Sequence, residues 1–241
     1  MRFFLTLVLC AATLSVFSTE TESFCLFTPP QGWELSDPRN PALQVQIAFL
    51  KNTGKGFCPS INLAVEKTNV SMTEYLKAVK AIHEQDRNQR FRLLGKVRTK
   101  AGLGQLIEID APSEWGPVRI LQLLFVKEGH AYILTAAALK EEFANYYKEI
   151  QEAFRSLTLT PDLLSTIPQL ERRESLKNKQ HELLEVWQQT VQKESQRDKQ
   201  WQKFQQTILD DFQDMGAFWQ ILVLKNTQEQ LPKLISQNTE N

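Results

Sequence analysis

Hydrophobic and polar positions alternate at residues 43–49. Leu43, Val45, Ile47 and Phe49 interleave with Gln44, Gln46 and Ala48, the period of a half-buried β-strand. Ile61, Leu63 and Val65 repeat the pattern after a turn region at 52–56. Ser71-Met72-Thr73-Glu74 then has the form of a capping box. Behind it Met72, Tyr75, Leu76, Val79 and Ile82 recur at helical spacing, which predicts a helix ending near Asp86. Four further strands are predicted at 91–99, 103–110, 118–126 and 131–138, separated by turns at 101–102, 112–117 and 128–129. The last two are apolar on both faces, as central strands covered on both sides should be. A second helix at 141–157 gathers Phe143, Tyr146, Tyr147, Ile150, Phe154 and Leu157 on one face. Strands joined by short turns pair antiparallel, and helices then pack on the sheet. The pattern thus predicts an α+β fold over residues 25–160.

Strand signals stop at Pro161. Residues 161–241 hold one glycine, Gly216, and 15 glutamines among 81 residues. Leu176, Leu183, Leu184, Trp187 and Val191 form one apolar stripe; Trp201, Phe204, Ile208 and Phe212 form another. Trp187, Trp201 and Ile208 share a seven-residue register that Glu194 interrupts, so a long helix or helical hairpin is expected in place of a sustained coiled coil. Residues 215–224 (MGAFWQILVL) are too few to span a bilayer. They are expected to fold back on the tail or core, with a partner or a membrane interface as the alternatives. The exposed stripes Trp187, Trp201, Phe204, Ile208, Phe212, Phe218 and Trp219 are the candidate interaction surface, for an unknown protein partner or for self-association.

Composition narrows the functional classes. The chain has 241 residues, with 28 Lys+Arg against 28 Asp+Glu, a balance that speaks against nucleic acid as a partner. Met1-Arg2 followed by the apolar run 3–17 and the polar stretch after Ser18 predicts a secretory signal peptide over residues 1–18. The expected location is the periplasm or cell envelope, with secretion as the alternative. Cys10 follows Leu9 and Cys25 follows Phe24, so neither has the small preceding residue that lipid attachment needs. Removal of residues 1–18 leaves Cys25 and Cys58, an even pair that predicts a disulfide in an exported chain.

The folded segment resembles the PsbP-like superfamily, which includes extrinsic photosystem subunits and DcrB-like bacterial envelope proteins. Phe27-Thr28-Pro29-Pro30-Gln31-Gly32-Trp33 is similar to that family's opening F-x-x-P-x-G-W strand and turn. Residues 59–66 (PSINLAVE) and 129–136 (GHAYILTA) match later family strands, and Phe154-Arg155-Ser156-Leu157 matches a helix end. The resemblance covers about residues 25–160 and none of the tail. It implies an α/β/α sandwich with a central antiparallel sheet, in a family used mostly for binding and assembly. No residue cluster here matches the metal-binding side chains of its plant-type members.

The chemistry of known active sites is missing from the sequence. His83, His130 and His181 are scattered, and His181-Glu182-Leu183-Leu184-Glu185 has Glu185 where a zinc-protease helix needs its second histidine. Gly54-Lys55-Gly56 lacks the rest of a phosphate loop, and Gly102-Leu103-Gly104 lacks the third glycine of a dinucleotide motif. No G-x-S-x-G elbow occurs. Asn69-Val70-Ser71 fits a glycosylation sequon, which has no role in most bacteria. Glu108 and Asp110 project to one side of a strand, an arrangement commoner on solvated strands than in acid–base pairs. Trp33 and Trp115 lie in turn regions where they close the ends of the sandwich or form a ligand-stacking lip. No catalytic residue, metal or cofactor is therefore expected. The expectation is a non-enzymatic exported module whose helical tail contacts a protein. A small-ligand or lipid carrier, or a hydrolase, with a pocket in the sandwich is the alternative.

Overall fold

A computed structural model describes residues 23–36, 45–54, 56–189 and 194–239, with no side-chain detail for 194 and 232–239. The proposed signal peptide lies outside the described residues, as do Leu43, Lys55 and Val191. The chain divides into two compact units, one ending at Leu159 and the other beginning at Thr160.

In the first unit the strands β2 (Glu34–Ser36), β3 (Val45–Leu50), β4 (Ser60–Lys67), β5 (Arg90–Thr99), β6 (Gly102–Ala111), β7 (Val118–Lys127) and β8 (His130–Leu139) form one seven-stranded sheet. Its order is β2-β3-β4-β8-β7-β6-β5, and every neighbouring pair is antiparallel. The helix α1 (Met72–Gln85) carries the chain from β4 to β5 at the far edge, and the β5–β8 meander returns to β4. Short β1 (Phe24–Leu26) and β9 (Thr158–Thr160) pair separately. The capping box forms: Ser71 N–H and Oγ–H donate to Glu74 Oε2, while Glu74 N–H donates to Ser71 Oγ.

The two faces of the sheet are covered by different helices. On one, Tyr75 and Val79 of α1 join Ile107, Ile109, Leu124, Ala131 and Ile133. On the other, α2 (Phe143–Ser156) buries Phe143, Ile150 and Phe154. That face carries Ile47, Phe49, Ile61, Leu63, Leu121, Leu123, Tyr132 and Leu134, all buried. Burial on both sides explains why β7 and β8 read as nearly continuous apolar runs. The fold is thus mixed α/β, an antiparallel sheet between helices, followed by a helical C-terminal region.

The tail is neither one helix nor a hairpin. It contains α3 (Leu170–Gln189), α4 (Glu194–Asp211) and α5 (Gly216–Thr239), and each packs on the other two. Phe204, Ile208, Phe212, Phe218 and Trp219 are all buried within this unit, so they form its core and not the outward surface predicted for them. A third helix removes the need for an external cover, because α5 supplies the apolar surface that the stripes of α3 and α4 require. Trp187 and Trp201 are half-buried: Arg197 lies over the Trp187 ring at 5.3 Å, and Trp201 stacks on Phe204 at 6.0 Å.

The glutamine content has a partial structural use. Gln220, buried in α5, donates from Nε2 to the carbonyls of Ile208, Leu209 and Phe212 at 3.0, 3.3 and 3.2 Å, satisfying the exposed end of α4. Trp219 Nε1–H donates to Leu163 O at 3.2 Å and Thr166 Oγ1 at 2.9 Å, and its ring stacks on Phe212 at 5.5 Å. Among the described residues no helix is long and apolar enough to cross a membrane.

Candidate functional site

The β6–β7 hairpin, β5 and the chain after β8 bring together a cluster of charged side chains. Register pairs Asp110 with Arg119, and Glu108 with both Leu121 of β7 and Arg92 of β5. Residues paired across antiparallel strands share a face. Four charged side chains therefore stand on the α2 side of the sheet. Arg119 grips Asp110 through Nε (2.8 Å) and Nη2 (3.1 Å), and reaches Glu108 Oε2 at 3.4 Å. Lys140 adds a 2.9 Å contact to Asp110, and Arg92 donates to Glu108. Phe143, at the start of α2, closes the cluster with the Arg119 guanidinium 5.8 Å from its ring centre.

Both carboxylates are buried and both are engaged, which decides what they can do. The hydrogen bonds from Arg119, with Lys140 in support, hold Asp110 well below the usual carboxylate range, at about 2. The same contact raises Arg119 above its ordinary value. A general acid or base working near neutrality needs a pKa near that pH. Asp110 is far from that condition, and the contacts of this network brace β5, β6, β7 and Lys140 against one another.

Beside the brace lies an open cleft of ≈490 Å³ lined by Trp115, Gly116, Pro117, Leu139, Lys140 and Glu141. Trp115 is 49% exposed, the only tryptophan among the large exposed apolar side chains of the described residues. Its position is built. Ser113 Oγ accepts from the Trp115 N–H at 3.2 Å and donates to Gly116 O at 2.6 Å, fixing the turn. Phe57 meets the indole edge-on at 5.8 Å. A Cβ on Gly56 would lie 2.7 Å from Trp115 Cδ1, so only glycine lets the β3–β4 connection pass beneath the ring.

The remaining candidates are accounted for elsewhere. Trp33 is buried and donates from Nε1 to Glu149 Oε2 at 2.8 Å, with Tyr146 edge-on at 6.2 Å, so it fastens α2 and forms no lip. Gly104 explains the Gly102-Leu103-Gly104 sequence: a Cβ there would stand 2.5 Å from Phe125 and 2.7 Å from Leu123. His83 is buried, with Nδ1 2.7 Å from Gln89 Oε1 and its ring stacked on Phe91 at 6.1 Å. His181 makes an exposed helical pair with Glu185 at 3.2 Å. Among the described residues no group of three His, Cys, Asp or Glu side chains could hold a metal ion.

The expected disulfide is not formed; Cys25 and Cys58 are both free thiols. Cys25 is buried in β1, which pairs with β9, whereas Cys58 precedes β4 in the large sheet. Burial pushes the Cys25 thiol well above its ordinary range, leaving it unreactive.

Sequence alternation had placed Glu108 and Asp110 on one side, but Arg92, Arg119 and Lys140 were missed. Their signal was charge inside otherwise apolar strands, and its meaning depended on a register that local sequence does not carry. Phe57 and Gly56 were missed for the same reason, since 58 positions separate Phe57 from Trp115.

No protein-family model matches the sequence, and no curated protein does either. Solved structures similar to the chain include LpqN of Mycobacterium tuberculosis, a protein involved in cell envelope biogenesis. It is 14% identical, with 58% of this chain and 85% of that one covered and a TM-score of 0.44. The Synechocystis PsbP is 12% identical over 64% of this chain and 98% of its own, with a TM-score of 0.41. The Saccharomyces cerevisiae Ran-binding protein Mog1p is 14% identical, covering 57% and 95%, with a TM-score of 0.38. All three identities lie below 15% and all three TM-scores below 0.5.

Proposed function

We propose that this chain is an exported cell-envelope protein acting as a non-enzymatic binding or assembly module, and that a protein partner is engaged at the Trp115 cleft. The observation that carries the reading is the exposed indole held in place by Gly56, Phe57 and Ser113. A large aromatic side chain left half in water, yet fixed by its surroundings, is the kind of group that anchors interfaces. The brace beneath it has no carboxylate free for acid–base work, which supports a binding role over catalysis. Support for export comes from the apolar segment 3–17 behind Arg2.

The cleft favours a partner side chain over an enclosed small molecule. Its volume falls in the range of ligand pockets, but such pockets surround most of a ligand's surface, and this one is open to solvent along one side. The helical unit has its own core and leaves a mostly polar exterior, so any contact it makes with a partner or a second copy runs through that exterior. A membrane contact through 215–224 requires this core to open, because Phe218, Trp219 and Val223 are buried in it.

The test is a Trp115→Ala variant of the full chain, expressed at native level and crosslinked in cells. Loss of the crosslinked complex with an unchanged melting curve is the expected result. An unchanged complex overturns the assignment of the site.

A further inference from the structure

The far edge of the sheet carries a second, independent surface. β5 is the terminal strand, and it has no strand partner on its outer side among the described residues. A strand edge of this kind presents a row of unpaired N–H and C=O groups, a template that another extended chain can complete. At ten residues β5 is among the longest strands of the molecule. Long open edges are what native proteins usually avoid.

The charge on this edge is one-sided. Between residues 87 and 100 stand Arg87, Arg90, Arg92, Lys96, Arg98 and Lys100, without one carboxylate, in a chain whose 28 Lys+Arg and 28 Asp+Glu balance overall. Arg92 belongs to the brace through Glu108. The other five are exposed and have no acidic partner among the described residues. Charges on an edge strand also serve to repel unwanted pairing, but that role goes with a polar edge. Here Leu93 and Leu94 are 55% and 46% exposed in the middle of the strand, and Leu103 on β6, opposite Arg98, is exposed as well. A bulge at Leu93/Gly95 leaves Leu94 without a paired residue on β6.

We propose that β5 is a docking edge for an extended acidic segment of a protein partner, which adds a further strand to the sheet. The open ladder calls for a polypeptide, the five cations for carboxylates, and the leucines for apolar side chains between them. A second copy of this chain paired edge to edge would set arginine and lysine against each other, and like charges facing across strands are unfavourable. The inference rests on the reading of the chain as a binding module but uses a surface separate from the Trp115 cleft.

The probe is a short fluorescent peptide of alternating Glu and Val, titrated against the full chain by anisotropy. Its control is the same peptide with alternate backbone amides methylated, equal in charge but unable to complete a ladder. The unmodified peptide is expected to bind, the control not, and amide exchange at residues 90–99 to slow on binding. Loss of three exposed ion pairs should make the combined Arg90→Ala, Lys96→Ala and Arg98→Ala variant bind about tenfold more weakly. Equal binding of both peptides, protection elsewhere, or no binding overturns the proposal. So does a preference of the same edge for anionic vesicles or heparin. Any of these removes the β5 assignment alone, because the crosslink that tests the Trp115 cleft is read separately.

Discussion

The two units use aromatic residues in opposite ways. In the helical unit Trp219 is 3% exposed, hydrogen-bonded through Nε1 and stacked on Phe212. In the sheet unit Trp115 is half in water, resting on a glycine. The glutamine-rich segment looked the more adhesive of the two, since its apolar stripes exceed what a lone helix or hairpin buries. In three dimensions a third helix covers most of them: among the described residues the helical unit exposes Leu170 and Leu209, whereas the sheet unit exposes Leu35, Val70, Leu93, Leu94, Leu103, Trp115 and Tyr147. An apolar stripe reports only that something must cover it; whether its own chain does so depends on how many helices pack.

The sharpest way to break this comparison is to truncate both tryptophans. Trp219→Ala removes a fully packed side chain and should destabilise the helical unit by about 3–5 kcal/mol. Trp115→Ala should change stability by about 1 kcal/mol or less. Denaturant melts followed by circular dichroism separate the two, and equal effects would erase the contrast.

Packing in the sheet unit gives the next largest effect. Gly104→Ala forces a methyl group against Phe125 and Leu123, and overpacking of this kind should cost about 1–3 kcal/mol. A neutral result would mean that β6 and β7 are looser than the close approach implies.

Asp110→Asn probes the brace. The folded-state value of Asp110 is about 2 against an ordinary 3.8, so ionised Asp110 stabilises the fold fully above about pH 4. That contribution fades as pH falls from about 4 towards 2. Discounted for its partly exposed partners, it amounts to about 1–2 kcal/mol. Stability of the parent chain should therefore fall through that window more steeply than that of the Asn variant. Parallel curves would show that Arg119 and Lys140 do not hold the carboxylate as described.

Ser71→Ala is the smallest, near 1 kcal/mol, because it removes one cap at an exposed helix start. Ser71→Thr keeps a hydroxyl at the cap and should restore most of the loss.

The alternating patterns at Ile47 and Phe49, and at Ile61, Leu63 and Val65, were legible because a period of two is local. So were the capping box and the two-sided apolar runs of β7 and β8. Strands of three residues, β1, β2 and β9, are too short to show a period. The three-helix arrangement escaped notice because stripes record which face is apolar and not which helix meets it. The Cys25–Cys58 expectation came from counting, and counting cannot see that Cys25 lies in β1, which pairs with β9, while Cys58 lies in the loop before β4. The brace and the Trp115 seat share one obstacle, since each depends on register or proximity between distant segments. Asp110 finds Arg119 only once β6 and β7 pair, and Trp115 finds Gly56 only once the sheet is assembled.

The most direct test of the central claim is site-specific photocrosslinking of the full chain in cells. One crosslinker replaces Glu114, beside the exposed indole, and another replaces Lys177 on the outer surface of α3. Adducts with a protein partner from position 114 and none from position 177 are the predicted outcome, placing recognition on the sheet unit. Adducts from 177 alone would return the interaction surface to the helical tail and contradict the account.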